Sequence, residues 1–162
     1  MDEEFFNPRR EYRLFRPRQG VRGRAVTGTP VNLGTVGLFN NSTGRSVLVV
    51  RDITVSGPAS DTVAASYQRG QIGATAGLQA SMVANEPLQP GTINSIDTAT
   101  VYAGDYVLAL TAQGVFWWQH DFPFAVIEPG YSLVFQDSTA THAIAVSLIW
   151  EAIEIDQLDY FY

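Results

Sequence analysis

The 162 residues suit one domain with a sizeable core. Hydrophobic residues make up 46% and charged residues 16%, below the roughly 25% charge of an average soluble domain, so part of the surface is expected to be covered by another subunit. Cysteine is absent, which excludes disulfides, thiolate metal sites and thiol nucleophiles.

No window approaches the roughly 20 apolar residues of a membrane span. The N-terminus lacks the apolar stretch of a signal peptide, so the expectation is a protein kept on the cytoplasmic side with no membrane partner. The net charge of −6 is unevenly spread: seven of the ten arginines and four acids fall in the first 24 residues, making that segment +3 and the rest −9. Every basic residue is Arg, which favours fixed planar contacts and leans toward interfaces.

Residues 1–30 show neither helical nor strand periodicity and contain Pro8, Pro17, Pro30, Gly20, Gly23 and Gly28. They read as an extended basic N-terminal arm. Its partner-binding residues are Phe5, Phe6 and Phe15 with Arg9, Arg10, Arg13, Arg16, Arg18, Arg22 and Arg24. Bidentate Arg–carboxylate contacts and Phe side chains in pockets suit docking on a protein surface. Nucleic acid is disfavoured, because the acidic body would repel phosphates and Asp2, Glu3, Glu4 and Glu11 offset part of the arm's charge.

From residue 31 to 155, β-branched and aromatic runs recur at about ten-residue spacing, the pattern of a β-sandwich or barrel. Thr35–Phe39 is followed by the turn Asn40-Asn41-Ser42-Thr43-Gly44. Ser46–Ser56 places Val47, Val49, Arg51, Ile53 and Val55 on one face and Leu48, Val50, Asp52 and Thr54 on the other, and reads as a central strand. Thr62–Arg69 follows, then a small-residue stretch with a helical turn expected near Leu78–Val83, before Pro87, Pro90 and Gly91.

Further strands are expected at Ile93–Ile96, Thr100–Ala103, Tyr106–Thr111, Val115–His120, Phe124–Ile127, Tyr131–Gln136 and Ala143–Ile155. Glu128-Pro129-Gly130-Tyr131 has Pro and Gly where a type II turn needs them. Residues 156–162 form an acidic-aromatic tail ending in Tyr160, Phe161 and Tyr162.

Catalytic patterns are absent. Neither His120 nor His142 stands at a recognisable metal-ligand spacing, no serine lies in G-x-S-x-G, and there is no phosphate-binding G-x-x-x-x-G-K. His120-Asp121 points to opposite faces of a strand and makes no triad. The expectation is a non-enzyme with no cofactor and no metal. Trp117 and Trp118 also face opposite sides, so one can fill the core while the other, with Tyr160, Phe161 and Tyr162, meets a partner subunit or a sugar ring.

The run GTVGLFNNSTGRSVLVVRDITVS, with IEPGYSLVFQD and AVSLIWEAIE near the C-terminus, resembles the jelly-roll accessory proteins of tailed-phage virions, over about 120 residues from Thr35 to Glu154. The resemblance implies an all-β, single jelly-roll-like β-sandwich of about eight strands. It also implies a virion location after assembly in the host cytoplasm, and a role as capsid decoration, head-fibre, fibre-base or tail-adaptor protein. The implied partners are copies of itself in a homotrimer, and the major capsid protein or a fibre or tail protein that receives the N-terminal arm. A glycan-binding receptor-attachment module is the competing expectation.

Overall fold

The computed structural model describes residues 20–154 apart from 76, 85, 103 and 121. Among them are twelve strands: β1 (Val21–Val26), β2 (Leu33–Phe39), β3 (Ser46–Ser56), β4 (Thr62–Arg69), β5 (Ala74–Thr75), β6 (Leu78–Ser81), β7 (Thr92–Thr98), β8 (Tyr106–Ala109), β9 (Val115–Gln119), β10 (Ala125–Ile127), β11 (Tyr131–Asp137) and β12 (Ala145–Glu154). They form two antiparallel sheets packed as a sandwich. One runs β6-β1-β12-β3, with β10 and β9 sharing the far edge of β3; the other runs β5-β7-β2-β11-β4-β8.

Without β5, β6 and β7, the orders become β1-β12-β3-β9/β10 and β2-β11-β4-β8. Two four-stranded sheets wound in this order are a jelly roll, in which consecutive strands cross between the sheets except where β4 pairs with β8 and where β10 follows β9. The inserted β5–β7 widen both sheets on the side opposite β8 and β9. Gln79 joins the sheets there, donating to the Gly91 carbonyl and accepting from the Ile93 N–H.

The core lies between the sheets. Val36, Leu38, Val63, Ala65, Ile93, Leu133 and Phe135 from one face pack against Val21, Leu48, Val50, Ile53, Val55, Val146, Leu148 and Trp150 from the other. Trp150 is fully buried and donates its indole N–H to the Pro90 carbonyl. Gly23 makes room for it, since a Cβ there would lie 2.6 Å from the indole ring.

Several expected elements are as the sequence reads them: Ser46–Ser56 and Thr62–Arg69 are strands, and the long C-terminal run is a strand rather than a helix. Gly130 has φ +81° in the turn closed by the Tyr131 N–H to the Glu128 carbonyl, as a type II turn demands. Asn40 is buried because it organises the end of the sandwich, its amide donating to the carbonyls of Ser46 and Ile127.

Others require correction. Val21–Val26 is a strand paired with β12 and β6, so the sandwich begins well before residue 31 and the part of the arm at 21–26 belongs to the body. Its alternation escapes notice because the inward positions are Val21, Gly23 and Ala25, two of them too small to signal a core face. Leu78–Ser81 is a strand, not a helical turn, because it gains a ladder on β1. No strand forms at Thr100–Tyr102; that segment lies over β11, where the Gln136 side chain donates to the Thr100 carbonyl and accepts from the Tyr102 N–H.

The two faces of β3 also differ from strict alternation. A register shift pairs Ile149 with Asp52 but Trp150 with Val50, leaving Arg51 as the extra residue of a β-bulge. The inward set is therefore Leu48, Val50, Ile53 and Val55. Val47 and Val49 pack on the outer face with Ile153 and Val126.

Candidate functional site

Two places in the described body concentrate functional side chains. The first is the edge where β8 of one sheet lies beside β9 and β10 of the other. Neither β8 nor β9 has a second strand partner among the described residues. Unpaired edges are templates for pairing with another chain unless charged or covered.

This edge carries much apolar surface. Trp117 is 67% exposed, Val107 71%, Phe122 59% and Tyr106 47%. Strand alternation sends Trp117 outward from one sheet and Val107 outward from the other. Behind them an aromatic cluster closes the sandwich: Trp118 meets His120, Phe122 and Phe124 edge-on at centroid distances of 4.3, 5.4 and 5.5 Å. Phe124 continues to Tyr106 at 5.8 Å and to core Phe135 at 6.4 Å. The Trp118 indole N–H is buried there with no hydrogen-bond partner.

The second place is the end of the sandwich where the β11–β12 loop passes the start of β4. Asp61 precedes β4, Asp137 ends β11 and His142 lies in the loop; their ligand-type atoms fall within 4.8 Å of one another. His142 Nδ1 is 2.5 Å from Asp61 Oδ2 and 3.8 Å from Asp137 Oδ1. Asp137 shares its inward row with Leu133 and Phe135, and its side chain is fully buried. One oxygen, Oδ1, accepts the Thr139 N–H at 2.7 Å, while Oδ2 has no hydrogen-bond partner.

Burial pushes the Asp137 carboxyl up to about 6, against the Thr139 hydrogen bond and with help from the negative charge of Asp61. Burial also acts to raise Asp61, but the hydrogen bonds from His142 and the Thr62 N–H outweigh it and leave that carboxyl below its ordinary value. Ser60 and Thr141, immediately before Asp61 and His142, are the two non-glycine residues with positive φ among those described, at 58° and 69°. Such backbone costs of order 1–3 kcal/mol per residue and persists only where the surroundings enforce it.

Of the residues singled out in the sequence, Trp117 and Trp118 stand on opposite faces of β9 as expected, the first exposed and the second packed on the core. Arg22 and Arg24 are exposed on the outward face of β1. Phe5, Phe6, Arg9, Arg10, Arg13, Phe15, Arg16, Arg18, Tyr160, Phe161 and Tyr162 lie outside the described residues. Five arginines and four acids remain in residues 1–19, so that segment is less basic than the first 24 taken together. The sequence reading missed Tyr106 and Val107 at the edge and the whole Asp61–Asp137–His142 group.

A cavity of about 190 Å³ lies at the other side of the sandwich, beside Gly20, Ser81, Glu86, Pro87 and Gln89, with Glu86 the one ionisable lining residue among those described. No protein family, characterised protein or solved structure matches this chain.

Proposed function

We propose that this chain is a non-enzymatic structural subunit of a tailed-phage virion, a capsid decoration, cement or fibre-base protein that works by assembling with other subunits. The observation carrying the assembly reading is the apolar edge. Four large exposed side chains, Tyr106, Val107, Trp117 and Phe122, lie at two edge strands that have no second strand partner among the described residues, where a monomer would place charge. The virion assignment rests on the resemblance of the strand and turn runs, which also supplies the homotrimer. Residues 1–19, with Phe5, Phe6, Phe15 and five arginines, serve as the anchor on the major capsid protein or on a fibre or tail protein.

Val107→Asp with Trp117→Asp tests the assembly reading. Both side chains point outward, so the fold should lose no more than about 0.5 kcal/mol for each, while the oligomer falls to monomers in sedimentation equilibrium. An unchanged oligomer mass would contradict the edge as the contact. The same measurement on a chain lacking residues 2–19 should leave the oligomer intact and remove incorporation into particles.

A second reading, a glycan-binding attachment module, is favoured by the exposed Trp117 ring and by the unpartnered Trp118 N–H beside Phe122. Saturable binding on a glycan array that Trp117→Ala abolishes would select it over the cement reading.

A further inference from the structure

The cluster at the start of β4, where the Asp61 carbonyl accepts the Leu110 N–H just past the end of β8, has a different use. We propose that Asp61, Asp137 and His142 form a binding site for a divalent first-row cation, Zn²⁺ or Mn²⁺, that ties the β11–β12 loop to the start of β4.

The donor set is the first argument. Two carboxylates and one imidazole nitrogen from three separate stretches of chain converge with their ligand atoms within 4.8 Å. For metal bonds of about 2.1 Å, tetrahedral ligands stand about 3.4 Å apart. The two distances from His142 Nδ1, 2.5 Å to Asp61 and 3.8 Å to Asp137, bracket that separation. Both reach it when the imidazole shifts away from Asp61 and toward Asp137, giving up its hydrogen bond to Asp61 to the metal.

The second argument is independent of proximity. Asp137 is fully buried and its Oδ2 lacks a hydrogen-bond partner. An ionised oxygen in that position is costly unless a counter-charge or a donor reaches it. Among the described residues no Arg forms an ion pair with Asp137; its one basic neighbour within 4 Å is His142. A cation seated beside Asp137 Oδ1, the oxygen that faces His142 Nδ1 at 3.8 Å, supplies the counter-charge that this buried carboxylate needs, its charge being shared over both oxygens.

The surroundings are those of a supported ligand set. The Thr62 N–H donates to Asp61 Oδ1 at 2.8 Å and the Thr139 N–H to Asp137 Oδ1 at 2.7 Å, so both carboxylates are aimed by backbone donors, as outer-shell contacts aim metal ligands. His142 is 35% exposed at its side chain and Asp61 11%, which leaves a path for entry and room for water to complete the coordination. Mixed imidazole and carboxylate donors suit Zn²⁺ or Mn²⁺, whereas Ca²⁺ asks for six to eight oxygens.

The full chain, stripped with EDTA and exchanged into metal-free buffer at pH 7.5, is titrated calorimetrically with ZnCl₂, MnCl₂ and CaCl₂. The same titrations are run on Asp137→Asn, His142→Gln and His120→Gln. The expected result is saturable binding of one Zn²⁺ or Mn²⁺ per chain with a raised thermal midpoint. It should be weakened at least about tenfold in Asp137→Asn and His142→Gln and unchanged in His120→Gln. His142 lies on a partly exposed loop, so its variant carries the test if the buried substitution impairs folding. No saturable binding by the wild-type chain would overturn the proposal in favour of a proton shared between the two carboxyls. Equal binding by wild type and both ligand variants would overturn it too, placing the ion elsewhere.

Discussion

Asp137 is an acid on an inward-facing row of a core strand, and its titration has a definite sign. Its folded value of about 6 lies above the ordinary 3.8, so the folded state holds a proton through that interval that the unfolded chain has released. The stability it contributes is fully present below pH 3.8 and is lost as pH rises through 6. A shift of that size is worth at most about 3 kcal/mol, and partial relaxation makes about 1–2 kcal/mol the working figure. In metal-free buffer, Asp137→Asn should therefore be more stable than wild type by that amount at pH 7.5 in urea denaturation. The gap should close toward pH 4. A less stable variant at pH 7.5 would show that the ionised carboxyl is already well partnered. Asp61, held below its ordinary value, acts in the opposite sense, and its contribution is lost as pH falls below about 4.

This group was not legible in the sequence, because Asp61 and His142 are 81 positions apart and meet only through the winding of the sheets. Trp117 and Trp118 were legible, since adjacent strand residues must face opposite ways.

At the scale of elements, alternation gave the central strands but not their interruptions. The run Val47 to Val50 is apolar on both faces because the outer face packs Val47 and Val49 with Ile153 and Val126; a bulge there leaves no trace in the pattern. The extra residue, Arg51, pairs with Glu151 across the outer face at 2.5 Å. Deleting Arg51 would bring Leu48, Val50, Ile53 and Val55 into unbroken alternation, so that variant should fold. Deleting Thr54 puts Ile53 and Val55 on opposite faces and forfeits the burial of at least one valine, about 1.5–3 kcal/mol. Urea midpoints of the two deletions should separate by that margin, with the Arg51 deletion the more stable; the reverse order would refute the bulge. Strand β6 was misread for a related reason. Its Leu78 and Ala80 face outward, and its support comes from β1, an element hidden by two small inward residues.

For the whole molecule, the β-sandwich class was readable from the spacing of strands and turns, and so was β7, where Ile93–Ile96 was expected as a strand; β5 and β6 were not, since short strands rich in small residues carry no period. Four of the exposed large apolar side chains, Tyr106, Val107, Trp117 and Phe122, gather where β8 and β9 end their sheets, and others, Leu78 and Val31 among them, lie elsewhere on the surface. Strong edges of this kind persist when another subunit covers them. The role of the N-terminal segment narrows to residues 1–19, because Arg22 and Arg24 belong to β1.

Hydrogen–deuterium exchange of the assembled protein against the Val107→Asp, Trp117→Asp variant tests assembly through this edge most directly. Amides of Tyr106–Ala109 and Val115–Gln119 should exchange at least about tenfold more slowly in the assembly, while those of buried β11 stay the same in both. Equal rates at the two edge strands would contradict the account.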